Sequence, residues 1–275
     1  MKRASRIYTF IIYLFLYVPM IVLLVASFNT DKSVSRFAGF TFSHYGELFR
    51  DSVLLPLLGR SILLALLSSL IATVLGTAAA MGMHAMSGKM RSFVMGLTNI
   101  PLTNPEIVTG VSMSLLFVFI GALMKFNNVL GFGTLLIAHV TFNLPYVILS
   151  VMPKLSQMDP DLREAALDLG CTPTQAFFKV VIHEIMPGII SGALMAFTMS
   201  LDDFVISYFV TGSSFITLPV EIYNYTKKPI QPKIYALFTL MFAVILVLMV
   251  VMNVLQARSE KRVQHGAQRR VCFGY

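Results

Sequence analysis

The sequence predicts an all-α membrane protein with six transmembrane helices. The 275 residues are 56% hydrophobic and only 12% charged, with a mean hydropathy of +0.77, whereas an ordinary soluble domain carries about a quarter charged residues. Apolar runs long enough to cross a bilayer, which takes about 20 residues, recur between charged or Gly- and Pro-containing segments. A chain of this length with six such runs leaves no room for a large soluble catalytic domain.

The six apolar runs are the predicted spans. In chain order they cover residues 7–28, 61–83, 107–124, 134–152, 189–210 and 235–255. The first apolar stretch is about 20 residues long, which exceeds the 7 to 15 residues of a cleavable signal sequence, so we expect a retained helix. The pattern of residues 92–106 is ambiguous and assigns no element.

The distribution of positive charge predicts the orientation. With the N-terminus in the cytoplasm, 13 Lys and Arg residues lie on cytoplasmic segments and 8 lie outside, which fits the positive-inside rule and places both termini in the cytoplasm. We assign the net charge of +8 to membrane flanks that face lipid headgroups, not to nucleic-acid binding, because no basic run is interleaved with aromatic residues. Cys171 and Cys272 show no metal-ligand spacing.

The predicted cytoplasmic segment between the fourth and fifth spans, residues 153–184, is expected to form two short helices. Asp159 suits an N-cap with Pro160 at the first helical position, and Gly170 suits a left-handed helix end. A Thr-Pro-x-Gln capping box at 172–175 then begins a second helix, which leads into the fifth span.

This segment carries a resemblance to a known family. EAALDLG at 164–170, followed by PTQAFFKVVIHEIMPGII, resembles the EAA loop of ABC-importer permeases, whose pattern is Glu-Ala-Ala, three residues, Gly and then Ile-x-Leu-Pro. The matching residues are Glu164, Ala165, Ala166 and Gly170. His183 replaces the final Pro of the pattern. The resemblance implies the type I (MetI-like) importer permease fold, in which small residues let this loop seat in a groove of an ATPase.

A second resemblance extends over nearly the whole chain. SLDDFVISYFVTG at 200–212, LPVEIY at 218–223 and PEIVTGVSMSLLF at 105–117 are similar to spermidine/putrescine importer permeases of the PotC type. The resemblance implies a multi-pass protein of the bacterial cell membrane, with one permease domain over 1–258, the coupling loop 159–184 within it, and a cytoplasmic tail over 259–275.

The same resemblance implies the partners. They are a homologous second permease subunit, a cytoplasmic ATPase homodimer and an extracytoplasmic polyamine-binding protein. The chain itself is expected to be no enzyme and to hold no cofactor, with ATP bound by the ATPase subunit. The sequence contains no G-x-x-x-x-G-K-[ST] phosphate loop.

Two carboxylates in the fifth apolar run are candidates for the substrate pathway. An Asp at the centre of a span costs about 2.5 to 3.5 kcal/mol on insertion scales, so intramembrane acids are functional candidates by default. Asp202 and Asp203 are such acids. Because adjacent helical positions differ by about 100°, we expect one to line a cavity and the other to contact a helix.

A cationic polyamine gives such acids a purpose, since its ammonium groups need carboxylates and its methylenes favour aromatic faces. Phe204 and Tyr208 lie nearby in sequence, although aromatic residues at helix ends also serve as interfacial anchors. Glu106 follows two prolines, and either it flanks the pathway at a broken helix or it begins the third span at the cytoplasmic interface. The predicted pathway residues are therefore Asp202, Asp203, Glu106, Tyr208 and Phe204.

Other functions remain open from the residues alone. An importer permease of the same fold for an iron complex, thiamine or a phosphonate is the nearest alternative. An intramembrane enzyme would need His139 and Asp202 within hydrogen-bond reach, although His139 is more typical of a packing residue. An ion channel is a further alternative, but that function would not explain the capped segment at residues 153–184.

Overall fold

A computed structural model describes residues 2–31, 36–126, 129–212, 215–227, 231–247, 249–251 and 254. Six helices in this part of the chain are long and apolar enough to cross a membrane, which confirms the predicted number of spans. They are Tyr8–Ser27, Leu54–His84, Glu106–Leu123, Phe132–Gln157, Pro173–Asp202 and Pro232–Val251. The predicted tail, 259–275, lies outside the described residues.

The helices are numbered in chain order. They are α1 (Lys2–Ser27), α2 (Ser43–Phe49), α3 (Leu54–His84), α4 (Gly88–Thr103), α5 (Glu106–Leu123), α6 (Phe132–Gln157), α7 (Asp161–Asp168), α8 (Pro173–Ala176), α9 (Ile182–Asp202), α10 (Val205–Val210), α11 (Leu218–Thr226) and α12 (Pro232–Val251). A π-helical turn at Phe177–Val181 joins α8 to α9, so the two form one continuous helix.

The chain divides into two compact units, residues 1–59 with 221–247 and residues 60–220 with 248–275. In the first unit, the carboxylate of Asp51 accepts hydrogen bonds from the N–H groups of Val53 and Leu54 at 2.8 and 2.9 Å. Lys233 Nζ on α12 donates to the same carboxylate at 2.8 Å. Burial alone would raise the pKa of Asp51, but the hydrogen bonds from Lys233 and the backbone lower it below its ordinary value.

Close contact between α6 and α9 forms the core of the second unit. A β-carbon added to Gly188 would lie 2.9 Å from the carbonyl oxygen of Ser150, and one added to Gly192 would lie 3.2 Å from the Cα of Val147. The two backbones therefore approach each other more closely than side chains at these positions would allow. The Gly-x-x-x-Gly spacing is the small-residue signature of such helix pairs in membranes.

The fifth span differs from the prediction at both ends. Residues 189–210 were expected to form one uninterrupted helix, but the helix begins at Pro173 and ends at Asp202. Asp203 is extended, with φ −62° and ψ 120°, and α10 follows as a separate helix. No Gly or Pro marks this break in the sequence, because a side chain that caps the next helix causes it.

The ambiguous stretch 92–106 is mostly helical. It belongs to α4, which ends at Thr103. Asn104 and Pro105 are extended, with ψ 142° and 132°, before α5 begins at Glu106. The proline explains this break, because it disfavours the helical conformation in the residue before it.

Candidate functional site

The two acids of the fifth span have opposite environments. Asp202 is the last residue of α9 and is exposed, whereas Asp203 is buried. The Asp203 carboxylate accepts the N–H groups of Ile206 at 3.2 Å and Ser207 at 2.8 Å, so it caps α10. The two acids are predicted within one helix, but the helix ends between them. That one of them lines a cavity stays a prediction.

A buried histidine lies beside Asp203. The Nε2 atom of His139, on α6, is 3.4 Å from Asp203 Oδ2 and 3.1 Å from Ser207 Oγ. Its Nδ1 atom is 2.6 Å from Ser200 Oγ, which also accepts a hydrogen bond from Ser68 on α3 at 2.8 Å. We call these five residues the His139 network. Both ring nitrogens have oxygen partners, as expected for a packing residue.

The structure does not support the pairing that an enzyme would need. His139 contacts Asp203, not Asp202, and the nearby Ser200 hydroxyl is buried and already engaged by Ser68. A hydrolytic serine must be open to its substrate, which this one is not. Among the described residues no group of three or more His, Cys, Asp or Glu side chains could hold a metal ion.

Glu106 is the first residue of α5, at the start of the third span, and is exposed. Its carboxylate is within electrostatic range of Tyr146 and of Asp202. The structure confirms that Glu106 begins the third span, and its role in the pathway stays a prediction.

Two contacts place the starts of α4 and α5. At the start of α4, Arg91 donates to Ser156 Oγ near the end of α6 at 2.8 Å. At the start of α5, a β-carbon on Gly110 would lie 3.2 Å from the Phe209 ring and 3.4 Å from the Cα of Ile206. Thus α4 and α5 together run antiparallel to α6, and their break faces the region of the break between α9 and α10.

The aromatic candidates cluster on α10 and its start. The ring centroids of Phe204 and Tyr208 are 5.5 Å apart, and those of Tyr208 and Phe209 are 5.4 Å apart. Tyr208 is 43% exposed. Tyr223 belongs to the other unit, where Lys227 Nζ lies 4.5 Å from its ring centroid.

The segment that resembles the EAA loop forms two helices, as predicted. The first covers Asp161–Asp168, and Pro160 before it already has helical angles, φ −60° and ψ −29°. The Asp159 carboxylate accepts the N–H of Asp161 at 3.1 Å, which is the bond that an N-cap side chain makes. Gly170 has φ +85°, which confirms the left-handed end. The N–H of Cys171 bonds to the carbonyl of Ala166 and that of Gly170 to Leu167, which is the Schellman motif.

The second helix begins with the predicted capping box between Thr172 and Gln175. On the first helix, Glu164 and Ala165 are exposed while Ala166 is buried. Leu169, at the helix end, is 86% exposed. Phe178, at the start of the fifth span, is also exposed, so the segment presents small residues together with two large apolar side chains.

The sequence did not identify every polar residue near the breaks. Ser68, Ser200, Ser207 and Tyr146 were not singled out, because each is an ordinary residue in a membrane helix. The available signal was the presence of two ionisable residues, His139 and Asp203, in separate apolar runs. Such groups usually pair with one another inside a membrane protein.

Comparison with known proteins gives three consistent matches. Residues 72–265 match the family described as binding-protein-dependent transport system inner membrane component. The chain is 39% identical over 251 residues to the putrescine transport system permease protein PotI of Escherichia coli K12, covering 90% of this chain and 89% of that protein. It is 34% identical over 252 residues to the spermidine/putrescine transport system permease protein PotC of Haemophilus influenzae, covering 92% and 96%.

A solved structure supports the fold. The crystal structure of a bacterial ABC transporter involved in the import of alginate contains a chain that superposes with a TM-score of 0.72 at 16% identity. The superposition covers 94% of each chain. The chain therefore shares the fold of that transporter chain.

Proposed function

The chain belongs to the family of binding-protein-dependent transport system inner membrane components, and from this premise we propose that it carries polyamines such as putrescine and spermidine across the bacterial cell membrane. Family members are multi-pass transport components, not enzymes. The relatives that are 39% and 34% identical are named for putrescine and spermidine transport. The cargo assignment rests on one observation in this chain, the two carboxylates at its helix breaks.

Asp202 and Glu106 are exposed acids that lack a basic partner. Within the described residues, the ion pairs closer than 4 Å are His139 with Asp203 and Lys233 with Asp51. Asp202 and Glu106 also lie within electrostatic range of each other, where like charges repel. A dication between them would remove that repulsion, while an anion such as a phosphonate would add to it.

The surroundings suit the rest of a polyamine. Its methylene chain requires an apolar surface, and its ammonium groups are attracted to aromatic faces. Phe204 and Tyr208 follow Asp202 at the same break, with the Tyr208 ring partly exposed. The acids supply charge and the aromatic rings supply contact area, so the group is complementary to a flexible cation with an apolar linker.

The partners follow from the family and from the segment at residues 159–184. Importers of this family depend on a binding protein. We assign to this chain an extracytoplasmic polyamine-binding protein, a homologous second permease subunit and a cytoplasmic ATPase homodimer that binds the ATP. The exposed Glu164 and Ala165, held by the rigid turn at Gly170, are the residues we assign to ATPase contact.

Uptake of labelled putrescine and spermidine tests the cargo assignment. The chain is reconstituted in proteoliposomes with its partner subunits and saturating loaded binding protein, and uptake and ATP hydrolysis are measured together. Loss of a charged contact costs 2 to 5 kcal/mol in a typical complex, so we expect Asp202→Asn to lower the polyamine imported per ATP at least about tenfold. Glu106→Gln is expected to lower it less, since Asp202 stands next to the aromatic rings.

Glu47→Gln is the matched control, because Glu47 is an exposed acid outside the candidate spans. It should leave the ratio unchanged. Import that is unaffected by both Asp202→Asn and Glu106→Gln contradicts the assigned pathway. If the ATPase assembles but neither polyamine is imported, the cargo is another solute of the same importer fold.

A further inference from the structure

His139 contacts both sides of the break between α9 and α10 from a separate helix. Ser200 precedes the break and lies at its Nδ1 atom, while Ser207 follows the break and lies at its Nε2 atom. The His139 side chain is 2% exposed. A buried ring with fixed partners at both nitrogens can hold two helix segments at one angle, because changing the angle would break a hydrogen bond that no water replaces.

The Asp203 carboxylate also contacts this ring. The carboxylate is nearly as buried as the ring, and within the described residues His139 is its ion-pair partner inside 4 Å. Removing one member of such a pair leaves a buried polar group without compensation. The extended backbone of Asp203, which ends α9, is therefore coupled to a side chain on α6.

Asp202 takes its direction from this arrangement. It is the last helical residue before Asp203, and it has no ion-pair partner of its own among the described residues. The backbone at the end of α9 therefore sets the direction of the Asp202 side chain. A shift of the break would move this carboxylate relative to Glu106 and Tyr208, which stand on other helices.

We propose that His139 is a positioning residue for transport, which holds the break between α9 and α10 through Ser200, Ser207 and Asp203 and so directs Asp202 toward the cargo. This rests on the proposed function. It also divides the roles of the adjacent acids. Asp203 is an internal support that never meets the cargo, and Asp202 is the acid that does.

A double-mutant cycle tests the positioning role. The polyamine imported per ATP is measured for His139→Leu, Asp202→Asn and the double variant in the complete complex with saturating loaded binding protein. Each single change is expected to lower the ratio at least about tenfold, while the double variant falls within about twofold of the lower single variant. If His139 acts through Asp202, removing Asp202 already removes the effect of His139, so the second substitution adds little further loss.

Two further variants separate positioning from folding. His139→Gln keeps a hydrogen-bonding side chain and is expected to restore most of the import per ATP, and Ser207→Ala removes one contact to the ring while its backbone N–H still caps with Asp203. Thr141→Ala is the control on the same helix, because Thr141 is exposed and its hydroxyl donates to the carbonyl of Ile137, outside the network. We expect it to change the ratio less than about twofold. A purely structural role would reduce the amount of assembled complex and leave the ratio per complex unchanged.

The outcomes distinguish this inference from the proposed function. If Asp202→Asn lowers the ratio but the His139 and Ser207 variants leave it unchanged, the positioning role is wrong and the cargo site stands. Multiplicative losses in the double variant also overturn the positioning role. If Asp202→Asn leaves the ratio unchanged, the cargo site itself is wrong, and a loss with His139→Leu then shows that His139 does not act through Asp202.

Discussion

Asp51 and Asp203 form the same local structure in two different environments. Each carboxylate accepts two backbone N–H groups at a helix start and pairs with a base from a distant helix, Lys233 for Asp51 and His139 for Asp203. The Asp51 and Lys233 side chains are 10% and 22% exposed, whereas those of Asp203 and His139 are 4% and 2% exposed.

The comparison separates the effect of geometry from that of burial. When one member of an accessible pair is lost, water solvates the other, and the cost is small. When one member of a buried pair is lost, no water replaces it, and the cost is large. Burial, more than the hydrogen-bond pattern, therefore sets how strongly the fold depends on each Asp.

Replacing Asp203 should have the largest effect. Asp203→Ala leaves His139 and the N–H groups of Ile206 and Ser207 without their acceptor, and breaking a buried pair typically costs about 3 to 5 kcal/mol of stability. Thermal unfolding of the purified complex measures the loss. Asp202→Ala is the matched control, because Asp202 is exposed and is expected to leave the unfolding temperature nearly unchanged. Equal destabilisation by both variants would contradict the comparison.

Replacing Asp51 should have a smaller effect that depends on pH. Asp51→Ala removes an acceptor at the start of α3, worth about 1 kcal/mol, and an accessible ion pair, worth about 0 to 1 kcal/mol. Because the folded protein lowers the pKa of Asp51, the contribution of the ionised carboxylate is present above its ordinary pKa and is lost as the pH falls through the lowered value.

Unfolding temperatures at neutral and acidic pH check this prediction. The difference between Asp51→Asn and the unchanged protein should be present at pH 7 and should vanish well below pH 4, given an ordinary carboxyl pKa of about 3.9. If the difference in unfolding temperature between Asp51→Asn and the unchanged protein is as large in acid as at pH 7, the charge of Asp51 contributes nothing to stability.

Replacing Gly170, which ends α7 without any charged group, should have the smallest effect on stability. Gly170 has φ +85°, and a side chain in the left-handed region costs roughly 1 to 2 kcal/mol, part of which the local turn can absorb. Gly170→Ala is therefore expected to lower stability by about 1 kcal/mol. Gly82→Ala is the control, since Gly82 lies inside α3 with open space around it, and Ala there is expected to stabilise the helix by about 0.5 to 1 kcal/mol. If Gly82→Ala destabilises the protein as much as Gly170→Ala does, the left-handed conformation is not the reason for the loss at Gly170.

The two helix ends near 170 and 203 show how far the sequence predicts this fold. The left-handed Gly170 and the capping box at Thr172 were predicted because the groups that satisfy the backbone lie within a few residues of it. The end of α9 at Asp202 was not predicted, because its partners include a histidine on another helix. The apolar pattern simply continues through Asp203, so periodicity alone indicates one helix.

The candidate site shows the same limit. The sequence identified Asp202, Asp203 and Glu106 because acids in apolar runs are rare. It could not separate the exposed Asp202 from the buried Asp203, since that difference depends on where α6 lies. The pathway role of these acids remains a prediction.

The sequence by itself determined the membrane location, the number of spans and the capped loop before the fifth span, because hydropathy and capping act over short stretches of chain. Only the tertiary structure decided that α9 ends at Asp202 and that His139 lies against Ser200, Asp203 and Ser207. The physical reason is that a buried charge is stable only with a partner. For Asp203 that partner is His139, on a helix that is distant in sequence, so local sequence patterns cannot predict the pairing.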